Sequence, residues 1–304
     1  MYCSPLRIKE LYDELQGTTA RVGEPGFFES CYTIEELEKI AKEYSVSLAD
    51  LPDRKIDINA YKRDLWKRIY STVKEKRKCT HEVCWVRAPS RAADGATKSV
   101  PIDVDKIFRP VMPRGKKQWL SNFDIDDIMA QYEDFYEDYA WLGSTPIDFK
   151  VWKGSRLAEL KMGDLYKNGK RRYGLIINLD KHNQSGSHWV AVYINLCDCD
   201  KPYSVEYYDS VGKPPKKEIL TYMNEVRLNA FMNLGLNTVL RINKLQAQYK
   251  DTECGVYATH FIVSRLQGTS FDDYAKLKIS DDTMNSFRKL FFRPYAMKGG
   301  ADVL

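Results

Sequence analysis

The residues best suited to chemistry lie in one stretch, Gln248-Tyr-Lys-Asp-Thr-Glu-Cys254-Gly255-Val-Tyr-Ala-Thr-His260. Apolar residues at helical spacing follow the cysteine (Val256, Tyr257, Phe261, Ile262, Leu266), and Gly268 supplies a stop. The pattern predicts a helix opened by Cys254. A helix's first turn offers unpaired backbone N–H groups and the positive end of its dipole. Both favour thiolate over thiol, and the thiolate is the nucleophile. A lone cysteine is more often a buried structural residue, so this stretch alone leaves its role open. Glu253, directly before it, is expected to oppose the thiolate and to leave more of the activation to a histidine.

Nucleophilic catalysis also needs a base, a group that orients the base, and a donor for the developing oxyanion. His188 begins a strand-like run after a glycine-containing turn, and Asp209 ends the run after that. Adjacent antiparallel strands place the start of one beside the end of the next, so the two residues can be neighbours. In that arrangement Cys254 attacks, His188 accepts and returns the proton, and Asp209 orients the imidazole. Gln248 can offer a side-chain N–H to the oxyanion, with the Cys254 backbone N–H as its partner. Singly, His188 suits a strand-edge hydrogen bond and Asp209 a turn start; their joint placement favours catalysis. His182 is expected at the surface, and His260 on another face of the helix.

The elements that must position these residues form an α+β pattern. Strands are predicted over 173–179, 188–195, 203–208 and 238–245, the first three close enough together to pair antiparallel. Helices are predicted over 218–233, from 254, and over about 283–291. Upstream, a helix opens within 118–128, with Ile125, Ile128, Met129 and Tyr132 as its stripe. The acidic, aromatic stretch 132–141 continues or follows it, and a short helix is expected over 156–161. Residues 1–86 read as a helical arm domain, with a Thr33/Glu36 capping box and a longer helix over 59–76. The segment 87–101 is small, polar and bears Pro and Gly, so it reads as a linker to a second domain, 102–304.

Charge is uneven along the chain. Twelve Lys or Arg against five acidic residues between Asp53 and Arg91 give that region +7, above the +5 of the whole chain. Such an arm suits DNA or another acidic partner; the commoner alternative is a solvated helix face. The longest apolar runs are far too short to span a membrane. The first ten residues lack the apolar core of a secretion signal. Seven scattered cysteines suggest a reducing compartment rather than a disulfide framework. Cys79-Thr-His81-Glu-Val-Cys84 lacks the second ligand pair of a zinc site, so no metal and no cofactor is expected.

Taken together, His188-Trp189, Tyr208-Asp209-Ser210 and Gln248-x5-Cys254-Gly255 resemble the motifs of the Ulp1-type cysteine proteases. That clan includes SUMO-deconjugating enzymes, the adenovirus protease and polyprotein-processing proteases of large DNA viruses. Trp119-Leu-Ser-Asn122 is similar to the motif that opens the family's catalytic domain. The resemblance spans roughly 105–295. It implies a central, mostly antiparallel sheet flanked by helices, with His188, Asp209 and Cys254 as triad and Gln248 as oxyanion donor. It also implies that Trp119 and Trp189 flank a narrow tunnel for a Gly-Gly tail. Glycine suits such a passage because it brings no Cβ between the two indoles. The spacer 249–253 lacks the Pro and Asn-Gly residues common in cellular members. The helical arm looks more like that of the large-DNA-virus proteases, which implies polyprotein processing in virions and at assembly sites in the host cytoplasm; the alternatives are a SUMO- or ubiquitin-type deconjugase and a non-catalytic nucleic-acid or protein-binding module. Met297-Lys-Gly-Gly300-Ala resembles a viral cleavage motif, or is simply a glycine-bearing terminus.

Overall fold

A computed structural model describes residues 2–14, 30–86, 101–115, 118–153, 155, 157 and 162–294. It divides into two compact units, Met1–Met112 with Phe291–Leu304, and Pro113–Leu290. The division falls near residue 112 rather than at 101, because Val104, Ile107 and Phe108 are buried in the core of the first unit. The expected linker lies, apart from Pro101, outside the described residues. So do most of the helix expected over 156–161 and the Gly299-Gly300 tail.

The first unit is helical: α1 (Pro5–Glu14), α2 (Ile34–Glu43), α3 (Ile58–Arg77), α4 (Val83–Val86) and α5 (Val104–Ile107). Both halves of the Thr33/Glu36 capping box form at the start of α2. Asp57 caps α3 by accepting from the Ala60 N–H at 2.8 Å. Several basic residues of the arm bind within it. Lys62 is buried against Glu14 at 2.8 Å. Arg68 donates to the carbonyls of Ser47, Ala49 and Asp50, and Lys76 to that of Tyr44. The cysteines correct the sequence expectation, since six of the seven pair as Cys3–Cys31, Cys79–Cys84 and Cys197–Cys199. Sequence spacing gave no sign of the Cys3–Cys31 pair, which folding brings together across 28 residues.

The second unit runs α6 (Asn122–Phe135), β1 (Tyr139–Pro146), α7 (Met162–Lys167), β2 (Arg172–Asn178), β3 (Trp189–Asn195) and β4 (Ser204–Tyr208). It continues through α8 (Lys217–Leu234), β5 (Val239–Ile242), α9 (Cys254–Leu266), α10 (Phe271–Lys276) and α11 (Asp281–Ser286). A last short helix, α12 (Arg288–Phe291), replaces the later part of the single helix expected over 283–291. The strands form one sheet in the order β1-β2-β3-β4-β5. The pairs β2–β3 and β3–β4 are antiparallel, whereas β1–β2 and β4–β5 are parallel. The sheet is therefore mixed rather than mostly antiparallel.

Strand β1 was not foreseeable as a strand. Most of its residues are buried, so no polar–apolar alternation marks it. Gly143, at φ 103°, sits at its register break between Trp141 and Ser144.

A helix covers each face of the sheet. Ile219, Met223, Val226 and Ala230 of α8 pack with Leu175, Ile177, Val190, Val192 and Val205. On the other face, Phe261 of α9 stacks on Tyr208 at 5.0 Å, and a side chain on Gly174 would run into Tyr139 and Ile262. All of β3 is buried. Fully burying each Val or Ile is worth roughly 1.5–3 kcal/mol, which fixes this strand and the residue just before it, His188.

Candidate active site

Strands β3 and β4 pair with Ala191 opposite Tyr208. This register carries His188, before β3, towards Asp209, after β4. The His188 carbonyl accepts from the Leu179 N–H at 2.9 Å, which pins the residue to the end of β2. Its Nε2 meets Asp209 Oδ1 at 2.7 Å. Asp209 is fully buried. The same Oδ1 accepts from the Val211 N–H at 2.9 Å, while Oδ2 has no hydrogen-bond partner. Asn243 clamps the Asp209 backbone from both sides, accepting its N–H at 2.8 Å and donating to its carbonyl at 2.7 Å.

Cys254, the free cysteine, is buried at the start of α9 and lies within electrostatic reach of the imidazole. Burial opposes charge on His188. The bond to Asp209 and the interaction with Cys254 outweigh it and push the His188 pKa up to about 9. With Nε2 committed to Asp209, Nδ1 is left for the sulfur. A thiol between a helix start and an imidazole held by a carboxylate is equipped for nucleophilic attack.

Gln248 is buried nearby. Its Nε2 donates to the Lys250 carbonyl at 2.6 Å, and its Oε1 accepts from the Ser210 hydroxyl at 2.6 Å. One Nε2 hydrogen remains beyond the bond to Lys250.

Glu253 has a different setting from the one expected. It is buried and accepts both the Thr252 backbone N–H and hydroxyl, at 3.1 and 2.6 Å. The buried Arg288 guanidinium donates to the carbonyls of Thr252 and Gln118, at 3.1 and 2.7 Å. Burial pulls the Arg288 pKa down, against the opposing pull of Glu253, Asp124 and Cys254. Arg288, 34 positions after Cys254, is thus held against the backbone just before Glu253 and Cys254, with no local signal in the sequence.

Trp119 and Trp189 line one groove of about 490 Å³, together with Leu120, Trp152, His182 and Gly186. Trp189 is buried and donates Nε1–H to the Leu120 carbonyl at 2.9 Å, whereas Trp119 is 42% exposed. Gly255 lies under this wall; a Cβ there would sit 3.1 Å from Leu120 Cβ and 3.3 Å from Trp189 Cδ1. His182 contacts Asp148 at 2.6 Å. His260 bonds Tyr274 at 2.8 Å, and burial lowers its pKa to about 4. No cluster of three or more His, Cys, Asp or Glu suited to a metal occurs among the described residues.

Residues 175–298 match the Ulp1 protease family, C-terminal catalytic domain. Over these residues the chain is similar to a Ulp1-family catalytic domain. A protein of Acanthamoeba polyphaga mimivirus named as a thiol protease is 32% identical over 186 residues, covering 61% of this chain and 60% of its own length. The chain thus spans under two-thirds of that relative. A cysteine protease of African swine fever virus is 26% identical over 236 residues, covering 72% of this chain and 85% of its own length. In some isolates it is named a SUMO-1 cysteine protease. The crystal structure of the swine fever virus protease aligns with a TM-score of 0.62 at 18% identity, over 97% of this chain and 96% of that one. At that identity the alignment establishes a shared fold.

Of the residues that matter to the site, sequence reasoning gave no role to Ser210, Asn243 or Arg288. Ser210 had one signal, its place directly after Asp209.

Proposed function

We propose that the protein is a viral cysteine endopeptidase that cleaves structural polyprotein precursors after Gly-Gly during virion maturation. Cys254 attacks the scissile carbonyl to form an acyl-enzyme. His188 transfers the proton to the leaving amine, Asp209 holds the imidazole, and Gln248 donates to the oxyanion. Trp119 and Trp189 bound the path of the substrate's glycines. The observation that carries this reading is the His188–Asp209 contact at 2.7 Å, with Cys254 on the same imidazole. The viral relatives and the helical arm support a role at assembly sites in the host cytoplasm and in the virion.

A second reading is a SUMO- or ubiquitin-type deconjugase, favoured by the name SUMO-1 cysteine protease given to the swine fever virus relative. One assay separates the two. Short Gly-Gly-X peptides are compared with full SUMO and ubiquitin fusions, with Cys254→Ala as control. Efficient cleavage of peptides supports the endopeptidase, and cleavage confined to the fusions supports the deconjugase. Turnover retained by Cys254→Ala would overturn the catalytic assignment. The charge excess of the arm supports an acidic partner, nucleic acid included. Repeating the assay with duplex DNA at two salt concentrations tests that partner, because phosphate contacts weaken as salt rises.

A further inference from the structure

The turn after β4 contributes more than Asp209. Its next residue, Ser210, is 1% exposed and meets Gln248 twice. The Ser210 carbonyl accepts from the Ala247 and Gln248 N–H groups at 2.8 and 2.9 Å. The Ser210 hydroxyl donates to Gln248 Oε1 at 2.6 Å. The turn is pressed closely onto the chain that leads to Gln248. Gly212 sits at φ 72°, and a Cβ there would fall 2.8 Å from the Lys244 carbonyl oxygen and 2.9 Å from the Leu245 carbonyl carbon. Asn243 ties that chain to Asp209 through the two bonds described above.

These contacts leave the Gln248 amide one orientation. The Lys250 carbonyl only accepts, so it must face Nε2. Oε1 then faces Ser210, whose hydroxyl must donate. The remaining Nε2 hydrogen is thereby held in a fixed direction. Without the hydroxyl, Oε1 would be buried with no donor, and the amide would be free to rotate away. Oxyanion stabilisation depends on donors already in place as charge develops, so a loosened amide costs rate even while its N–H survives.

We infer that Ser210 is a positioning residue that orients the Gln248 amide, so that one turn sets the proton-transfer side of the site through Asp209 and the oxyanion side through Ser210. This rests on the cysteine protease function proposed above. Ser210 acts through Gln248, and its contribution should vanish when Gln248 is gone.

The test is a double-mutant cycle on the full chain with wild type, Ser210→Ala, Gln248→Ala and the double variant. The substrate is a Gly-Gly peptide joined to aminocoumarin. Alkylation by iodoacetamide, read by mass on the Cys254 peptide, runs beside it; that reaction develops no oxyanion. Ser210→Ala should lower kcat at least tenfold with KM within about twofold, short of the ~10²–10³-fold loss typical for removing an oxyanion donor. The double variant should match Gln248→Ala within about twofold. Alkylation should stay within about twofold of wild type throughout, and Ser210→Thr, which keeps the hydroxyl, should recover part of kcat. The inference is overturned by a wild-type kcat in Ser210→Ala. Losses that multiply in the double variant, or an equal fall in alkylation, would also overturn it by showing a role outside Gln248. A wild type that cleaves no peptide or fusion would instead remove the protease function itself, and the inference with it.

Discussion

Replacing Asp209 with asparagine keeps the side chain's size and removes its charge. The rise of the His188 pKa from 6.5 to about 9 corresponds to on the order of 3 kcal/mol in favour of the imidazolium. Burial works against that charge, so Asp209 and Cys254 together supply more than the net amount. In Asp209→Asn the amide oxygen can keep the Oδ1 position, where it accepts from His188 and the Val211 N–H. The new NH2 then falls at the Oδ2 position, which has no hydrogen-bond partner. The carboxylate's charge is lost, burial gains weight, and the His188 pKa falls. The assay is the pH dependence of kcat/KM on a Gly-Gly peptide. The basic limb should lie near pH 9 in wild type, where the imidazolium is lost, and should move down by at least one pH unit in the variant. At pH 8.5 the variant should be slower by tenfold or more. Stability should follow the same group. His188 has its pKa raised by folding, so its contribution is fully present below about 6.5 and is lost as pH rises through about 9. Urea titrations should show that alkaline loss in wild type and a smaller one in Asp209→Asn. An unmoved basic limb would refute the assignment of the raised pKa to Asp209.

Two further outcomes follow from packing. Arg265→Met should destabilise the protein by about 3–5 kcal/mol in urea unfolding, because it strands Glu206, 1% exposed and otherwise paired with Arg265 at 2.7 Å; a change under 1 kcal/mol would count against a charged pair there. Gly255→Ala should raise KM and cost about 1–3 kcal/mol of stability, since its Cβ must displace Leu120 or Trp189. Wild-type kinetics and melting in Gly255→Ala would show that the groove wall yields freely.

The local signals in the chain were strong where one element supplies the physics. The Thr33/Glu36 capping box, the stripe of α6 and the helix that starts at Cys254 all lie where spacing put them. The closely spaced strands β2, β3 and β4 pair antiparallel as their spacing implied, and the His188–Asp209 contact follows from that pairing. Strand β1 escaped because burial on both faces erases the period of two. The parallel pairing of β4 with β5 is what a crossover through α8 produces, a signal in the order of the elements that reading each strand alone leaves unused.

The sequence by itself determined which side chains were available: one cysteine opening a helix, a histidine and an aspartate at strand ends, a glutamine six residues before the thiol. Those choices are local, made by capping, periodicity and turn chemistry within a few residues. Tertiary structure alone decided how the site is tuned. The Ser210 hydroxyl bonded to Gln248, the two-sided clamp of Asn243 on Asp209 and the Arg288 guanidinium on the Thr252 carbonyl come from residues 34 to 38 positions away in the chain. Hydrogen bonds and buried charge act through space over a few ångströms. Partners brought together only by the closing of the sheet leave no periodic trace in the sequence.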